Sequence, residues 1–240
     1  MDVTATEEDE FKKSNDLSEW MATKILLKNP FTVMELKLFT CVLSMIRKDD
    51  DLKEYEISIS QFMKMPGTTS KNVYDQIQQA GERLMQKIVT IQRGDRRIRV
   101  ALMSSVETKM GGGTVKVSFD PKIKPELITL QEKYTEYTLG NIMALRSTHT
   151  IRLYELFKQC LPDGERTLTV DEIKSHLTIA PDSYKRTNDL KEKVVDKSLE
   201  EIGELTDIVV NIKHANREGR KIIGWTFVIG SNKNADNSFS

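Results

Sequence analysis

No apolar run in the chain approaches the roughly 20 residues that a membrane-spanning helix needs, so no membrane partner is expected. There are only two cysteines, Cys41 and Cys160. Each lies inside an apolar helical pattern, which suits a buried reduced thiol better than a disulfide framework or a metal site. The three histidines, His149, His176 and His214, are isolated and have neither the His-x-His nor the H-E-x-x-H spacing that holds a metal. A nicking initiator that forms a tyrosyl-DNA bond would need such a cluster. The phosphate-cradling pattern G-x-x-x-x-G-K-[ST] is also missing, and Gly111 to Gly113 has no following lysine and falls between β segments, as a flexible turn would. No cysteine stands with a histidine in a local nucleophile motif. These gaps argue against an enzyme and against a resident cofactor. The N-terminal MDVTATEEDE is acidic where a secretory leader would be basic and then apolar, so a cytoplasmic location is expected.

An excess of charge of one sign is lacking too, because 36 basic and 36 acidic residues cancel. Their distribution is uneven. Residues 1–60 carry 8 basic against 13 acidic side chains, whereas residues 61–125 carry 12 against 5. The middle of the chain is therefore basic by seven charges, as a surface that meets nucleic acid would be. At 240 residues the length allows one large domain or two of about 110 residues, each with its own core.

Element order separates these alternatives. Thr32 and Glu35 have the spacing of a capping box, and Leu36, Phe39, Leu43 and Ile46 continue an amphipathic helix. Glu56 to Ser60 alternates as a strand, and Gln61 to Met65 forms a brief helix stopped by Pro66-Gly67. Thr68, Thr69 and Ser70 offer caps for a helix with Val73, Ile77, Ala80, Leu84 and Ile88 on its apolar face. Strands follow at 88–92 and 98–103 around an Arg93-Gly94-Asp95-Arg96-Arg97 tip, and again at 114–119. The same order then returns: a helix from Leu139 to Cys160, a strand at Thr167 to Val170, a short helix capped by Asp171, and a long helix through Leu190, Val194, Leu199, Ile202 and Leu205. Strands from Ile208 and Lys221 close this second copy. Ile57 pairs with Leu168, Val73 with Leu190 and Ile91 with Ile208, offsets of 111 to 117 residues, which predicts two homologous domains in tandem.

Three helices followed by a β-hairpin make a winged helix-turn-helix, whose third helix fits the major groove while the wing reaches the backbone. The fold expected is therefore α+β, with tandem winged-helix domains related by internal duplication. The polar residues at the start of each third helix are of the types that reach phosphates and base edges. In the first copy these are Ser70, Lys71, Asn72, Tyr74 and Gln78; in the second, Tyr184, Lys185, Arg186, Asn188 and Lys191. Wing tips carrying Arg93, Arg96 and Arg97, and Arg217, Arg220 and Lys221, would supply cations to phosphates. Glu200-Glu201 reads as solvated helix charge.

Several segments then resemble one family. Thr150 to Gln159, TIRLYELFKQ, looks like a characteristic helix of the initiator Rep proteins of iteron-containing, theta-replicating plasmids. DLKEKVVDKSLEEIGELTD, from Asp189 to Asp207, and Gly219-Arg220-Lys221 to Phe227 are similar to the family's next helix and closing strand. Phe31 to Leu43 and Asn72 to Ile88 fit its first half. Glu126 and Gly203 depart from the usual residues. The resemblance implies an N-terminal winged-helix domain at 15–125 for dimerisation and auxiliary DNA contacts. It also implies a C-terminal one at 126–230 for the main reading of origin repeats, through Tyr184, Lys185, Arg186, Asn188 and Lys191. The implied partners are double-stranded DNA at origin repeats and at the protein's own promoter, host replication proteins such as helicase and initiator, and the chain itself as monomer and dimer. The alternative is a winged-helix transcriptional repressor without initiator activity.

Overall fold

The computed structural model describes residues 25–26, 31–47, 54–64, 73–93, 95–108, 113–128 and 139–232. Its first half runs β1 (Ile25–Leu26), α1 (Val33–Met45), β2 (Tyr55–Ser58), α2 (Ile59–Lys64), α3 (Val73–Met85), β3 (Ile88–Arg93), β4 (Arg96–Ala101), β5 (Met103–Thr108) and β6 (Thr114–Phe119).

The start of α1 is fixed by the reciprocal pair expected there. The Glu35 N–H donates to Thr32 Oγ1 at 3.3 Å, and the Thr32 N–H donates to Glu35 Oε2 at 3.0 Å. The Glu35 carboxylate is buried, and Lys87 Nζ at 3.2 Å and Arg83 Nε at 3.7 Å neutralise it. A buried charge persists only with such partners, so this cluster ties α1 to the end of α3. α3 presents Val73, Ile77, Ala80 and Leu84 to the core. Gly81 lets it lie directly on β5, because a Cβ there would sit 2.8 Å from the Val106 side chain.

The second half contains α4 (Leu139–Ala144), α5 (Thr148–Gln159), β7 (Glu165–Thr169), α6 (Val170–His176), a composite α7, β8 (Ile208–Glu218) and β9 (Lys221–Ser231). α7 starts as Thr187–Leu190, passes through a π turn at Lys191–Val195 and continues as Asp196–Leu205. Two helical details differ from expectation. The single helix expected over Leu139 to Cys160 is broken, because Ser147 Oγ accepts from the His149 N–H and starts α5 afresh. α6 is capped by Thr169 in a second capping box with Glu172, not by Asp171.

Sheet order identifies the wings. The first half has a sheet β2-β6-β5 and the second β7-β9-β8, all antiparallel. In each, the strand before the second helix pairs with the last strand of the hairpin that follows the third helix. The chain is thus two winged-helix domains in tandem, and the counterpart of β8–β9 is β5–β6. This overturns the expected match of Ile91 with Ile208. β3–β4 is an additional hairpin that pairs with β1 in a sheet of its own. β5 escaped the sequence reading because the chain leaves β4 at a single buried residue, Leu102, with no glycine or proline to mark the bend. The Leu102 N–H instead donates to the Lys87 carbonyl at 2.7 Å.

The second core is built around Trp225, Phe157 and Phe227, the last two with ring centroids 4.9 Å apart. Gly224 is required where β9 crosses β7, since a Cβ there would lie 2.3 Å from the Leu168 carbonyl oxygen. A polar network spans this domain: Asn141 Nδ2 donates to Tyr154 Oη at 2.8 Å, and Tyr154 Oη donates to Asp207 Oδ1 at 3.0 Å. Lys158 Nζ closes it on Asp207 Oδ2 at 2.6 Å. Arg152 is buried and donates to Thr178 Oγ1 at 2.9 Å and the His176 carbonyl at 3.2 Å. The most distinctive residues of the TIRLYELFKQ segment therefore hold the fold together.

Candidate nucleic-acid interface

The start of α7 is presented by a tightly held loop. Thr178 and Tyr184 both take positive φ, 52° and 48°, a conformation few non-glycine residues adopt. The bonds from Arg152 to Thr178 and from Lys174 Nζ to the Pro181 carbonyl, at 2.8 Å, hold this segment. Tyr184 is half-buried with its ring against the core. It thus anchors the loop through part of its ring. Lys185, Arg186 and Asn188 are all exposed. Arg186 occupies the N-cap position and no side-chain oxygen caps the helix, so the positive end of the helix dipole and two cations coincide.

Lys191 is half-exposed and already paired. Its ammonium is held by both oxygens of Asp196, at 2.7 and 2.8 Å, in a groove between α7 and β8 that Glu200 and Glu204 also line. The cause is the π turn, which inserts one extra residue into the helical repeat. It buries both Val194 and Val195 and absorbs the five-residue step from Val194 to Leu199. It also sets Lys191 and Asp196, five residues apart, on one face beside β8. Glu201 also departs from expectation: it accepts from the Arg146 N–H at 2.5 Å and from Thr150 Oγ1 at 2.9 Å, so it supports the start of α5 and is not a merely solvated charge.

Beside α7 stands the β8–β9 wing. β7 pairs with β9 only over Gly224–Val228, so the hairpin beyond Gly224 is two-stranded and reaches about 13 Å past the sheet at roughly 3.3 Å per residue. Its turn is Gly219-Arg220, with Gly219 at φ +58°, as a two-residue hairpin with glycine first requires. Arg217, Arg220 and Lys221 are exposed at this tip. No carboxylate pairs with these three, or with Lys185 and Arg186, among the described residues.

In the first domain Ser70, Lys71 and Asn72 lie outside the described residues. Tyr74 packs against the core and Gln78 is turned toward β5, its amide engaged with Glu82 at 3.1 Å and Thr108 at 3.5 Å. Both are half-buried. Arg96 and Arg97 are exposed, and Arg93 stands opposite Arg96 in the ladder. All three belong to the additional β3–β4 hairpin, not to the topological wing. Sequence reasoning passed over exposed Arg99, which shares a strand face with Arg97 at period two, and exposed Arg166, Lys193 and Lys197. Lys193 is paired with Asp189 at 3.4 Å, one helical turn earlier.

No group of histidine, cysteine or acidic side chains among the described residues could hold a metal ion, and no described helix is long and apolar enough to cross a membrane. Comparison with known proteins matches residues 10–158 to the model of "Initiator Replication protein, WH1" and residues 169–229 to "Initiator Rep protein, WH2". A "Probable replication protein rep" of Bifidobacterium longum (strain NCC 2705) is 24% identical over 159 residues, 66% of this chain and 52% of that protein. An uncharacterized 27.6 kDa protein of Escherichia coli is 24% identical over 107 residues, 45% of each. The chain thus spans about half the length of these relatives. Among solved structures, the Pi initiator protein in complex with iteron DNA aligns with a TM-score of 0.73 at 18% identity, covering 89% of this chain and 94% of that one. Domains 2 and 3 of RctB align with a TM-score of 0.57 at 14% identity, covering 86% and 84%. These likenesses establish the two-winged-helix fold.

Proposed function

The chain belongs to the initiator replication protein family, and from that premise we propose that it initiates plasmid replication by binding directly repeated origin sequences in double-stranded DNA. The observation that carries this reading is the coincidence of exposed Lys185, Arg186 and Asn188 at the start of α7 with a projecting wing tipped by Arg217, Arg220 and Lys221. A helix start of that width and polarity fits the major groove, where asparagine can pair with adenine and arginine with guanine, while the wing cations meet phosphates. The Pi initiator, which shares this fold, binds iteron DNA in its crystal structure, and that lends support.

The second domain, 126–230, is the main reading head in this account. The first, 15–125, adds backbone contacts through Arg93, Arg96 and Arg97 and provides the dimer contact. Occupied neighbouring repeats deform the duplex and assist opening beside them, and host helicase and initiator are then recruited. As a dimer the protein represses its own promoter. The work is done in the cytoplasm by binding energy, without covalent chemistry on DNA.

The test is a mobility shift of the full chain on duplex repeats from its own plasmid origin, beside a scrambled duplex, with a plasmid-maintenance assay in parallel. Selective binding together with maintenance supports the initiator reading. Selective binding without maintenance leaves a plain repressor, and equal binding to both duplexes removes the reading. Cleavage of supercoiled origin DNA in Mg²⁺ would contradict the absence of covalent chemistry.

A further inference from the structure

Lys37 lies on α1, in the first domain, and is 2% exposed. Its ammonium does not reach water but donates at 2.5 Å to the carbonyl of Met143, 106 residues later, in α4. Met143 is in the last turn of α4, where carbonyls have no partner within the helix. A cation donating there both satisfies the oxygen and meets the negative end of the helix dipole. α4 is equally tied to the second domain, because its Asn141 donates to Tyr154 and so joins the network through Asp207 to Lys158. α1 packs on α4, and Ile142 and Met143 are fully buried. One short helix therefore couples the two domains, held from one side by Lys37 and from the other by Asn141.

We propose that Lys37 is a positioning residue which, by capping α4, fixes the separation of the two DNA-reading heads and so sets the base-pair spacing the protein accepts within one repeat. The inference rests on the reading that both domains engage one repeat. Heads held at one separation engage their two segments of DNA without a further ordering cost, and they reject a duplex whose segments are displaced. Heads that move relative to one another lose the first benefit and the second restriction together. A residue that served only to stabilise the fold would lower the active fraction equally for every spacing.

The experiment measures binding of the full chain to its origin repeat and to duplexes with one base pair inserted or deleted at successive positions across that repeat. The proteins compared are wild type, Lys37→Met and Lys37→Arg, each with a thermal melt; Lys37→Gln takes the place of Lys37→Met if that variant fails to fold. Wild type is expected to lose about tenfold in affinity at the position between the two heads, and Lys37→Met to discriminate spacings by less than about threefold while binding the native repeat several-fold more weakly. Lys37→Arg, which keeps a donor and a charge, restores the preference. A folded Lys37→Met or Lys37→Gln protein with the wild-type spacing preference overturns the proposal alone. Wild type that binds selectively but tolerates every insertion removes the two-headed reading, and with it the proposal.

Discussion

Replacing Arg217, Arg220 and Lys221 together by alanine tests the wing through its dependence on salt. All three are exposed on the two-stranded end of β8–β9, away from the buried residues Gly224 to Phe227, so the folded state should be retained. With Lys185 and Arg186 at the start of α7 they make five exposed cations. If each neutralises one phosphate, the logarithmic dependence of affinity on salt has a slope of about −4.5, and the triple variant retains about −1.8. Between 50 and 200 mM salt the wild type then loses about 2.7 decades of affinity and the variant about 1.1. Affinity is measured by fluorescence anisotropy on a labelled repeat duplex across that range, with circular dichroism to check folding. The difference of slopes, about 2.7, is the quantity of interest because it counts contacts regardless of overall stability. Parallel slopes for wild type and variant would mean that the wing does not meet phosphates, and would refute the assignment even if the variant bound more weakly.

Lys191→Ala is expected to change affinity for the repeat by less than about twofold, because Asp196 already holds its ammonium; a loss comparable with that of Lys185→Ala in the same assay would restore Lys191 to the interface. Gly224→Ala forces a Cβ to 2.3 Å from a backbone oxygen in β7, which places it among substitutions costing about 4 kcal/mol or more, read as a much lower melting temperature. Lys37 has its pKa lowered to about 8, first by burial, with Glu201 raising and Arg146 further lowering it. Between that value and its ordinary one near 10.5 the unfolded chain holds a proton that the folded chain has released, so stability rises with pH, by up to about 1.4 kcal/mol per unit. Burial also pushes the Cys41 thiol up to about 11, which makes stability fall with pH above its ordinary value of 9.0 in both proteins. The gain is therefore read as the difference between wild type and Lys37→Met in denaturant unfolding, which should grow from pH 7 to 8.5 and 10. At pH 7 removing a buried charge and leaving the Met143 carbonyl without its donor oppose one another, each by about 1–3 kcal/mol, so the two proteins should then be of similar stability.

Much of the fold was legible because periodicity and capping are local. Thr32 and Glu35 fix α1 within the residues that predict it, and the apolar faces of α3 and α7 follow from spacing alone. What escaped depends on residues distant in sequence. β5 follows a bend made by Leu102, whose N–H is taken up by Lys87, and nothing near it in the sequence signals a turn. Without β5, β3–β4 reads as the wing, and Arg93, Arg96 and Arg97 fall on it. The phase change in α7 is present as the five-residue step from Val194 to Leu199, but only the π turn shows that it sets Lys191 and Asp196, five residues apart, on one face as an ion pair. Gln78 and Tyr74 likewise look fully exposed on a helical projection, whereas β5 and the core cover them in part. Lys37 gave no signal at all, since a lysine inside an apolar helical run reads as its solvent face until its partner 106 residues away is known.

The central claim, that α7 enters the major groove of the origin repeats, is tested most directly by methylation interference with the full chain bound to its own origin. N7 of guanine lies in the major groove, so a methyl group there blocks a helix but leaves minor-groove and backbone contacts unaffected. The account predicts interference at guanines recurring once per repeat, at positions that lose their effect on Lys185→Ala/Arg186→Ala protein. Binding that is indifferent to N7 methylation throughout the repeats would contradict it.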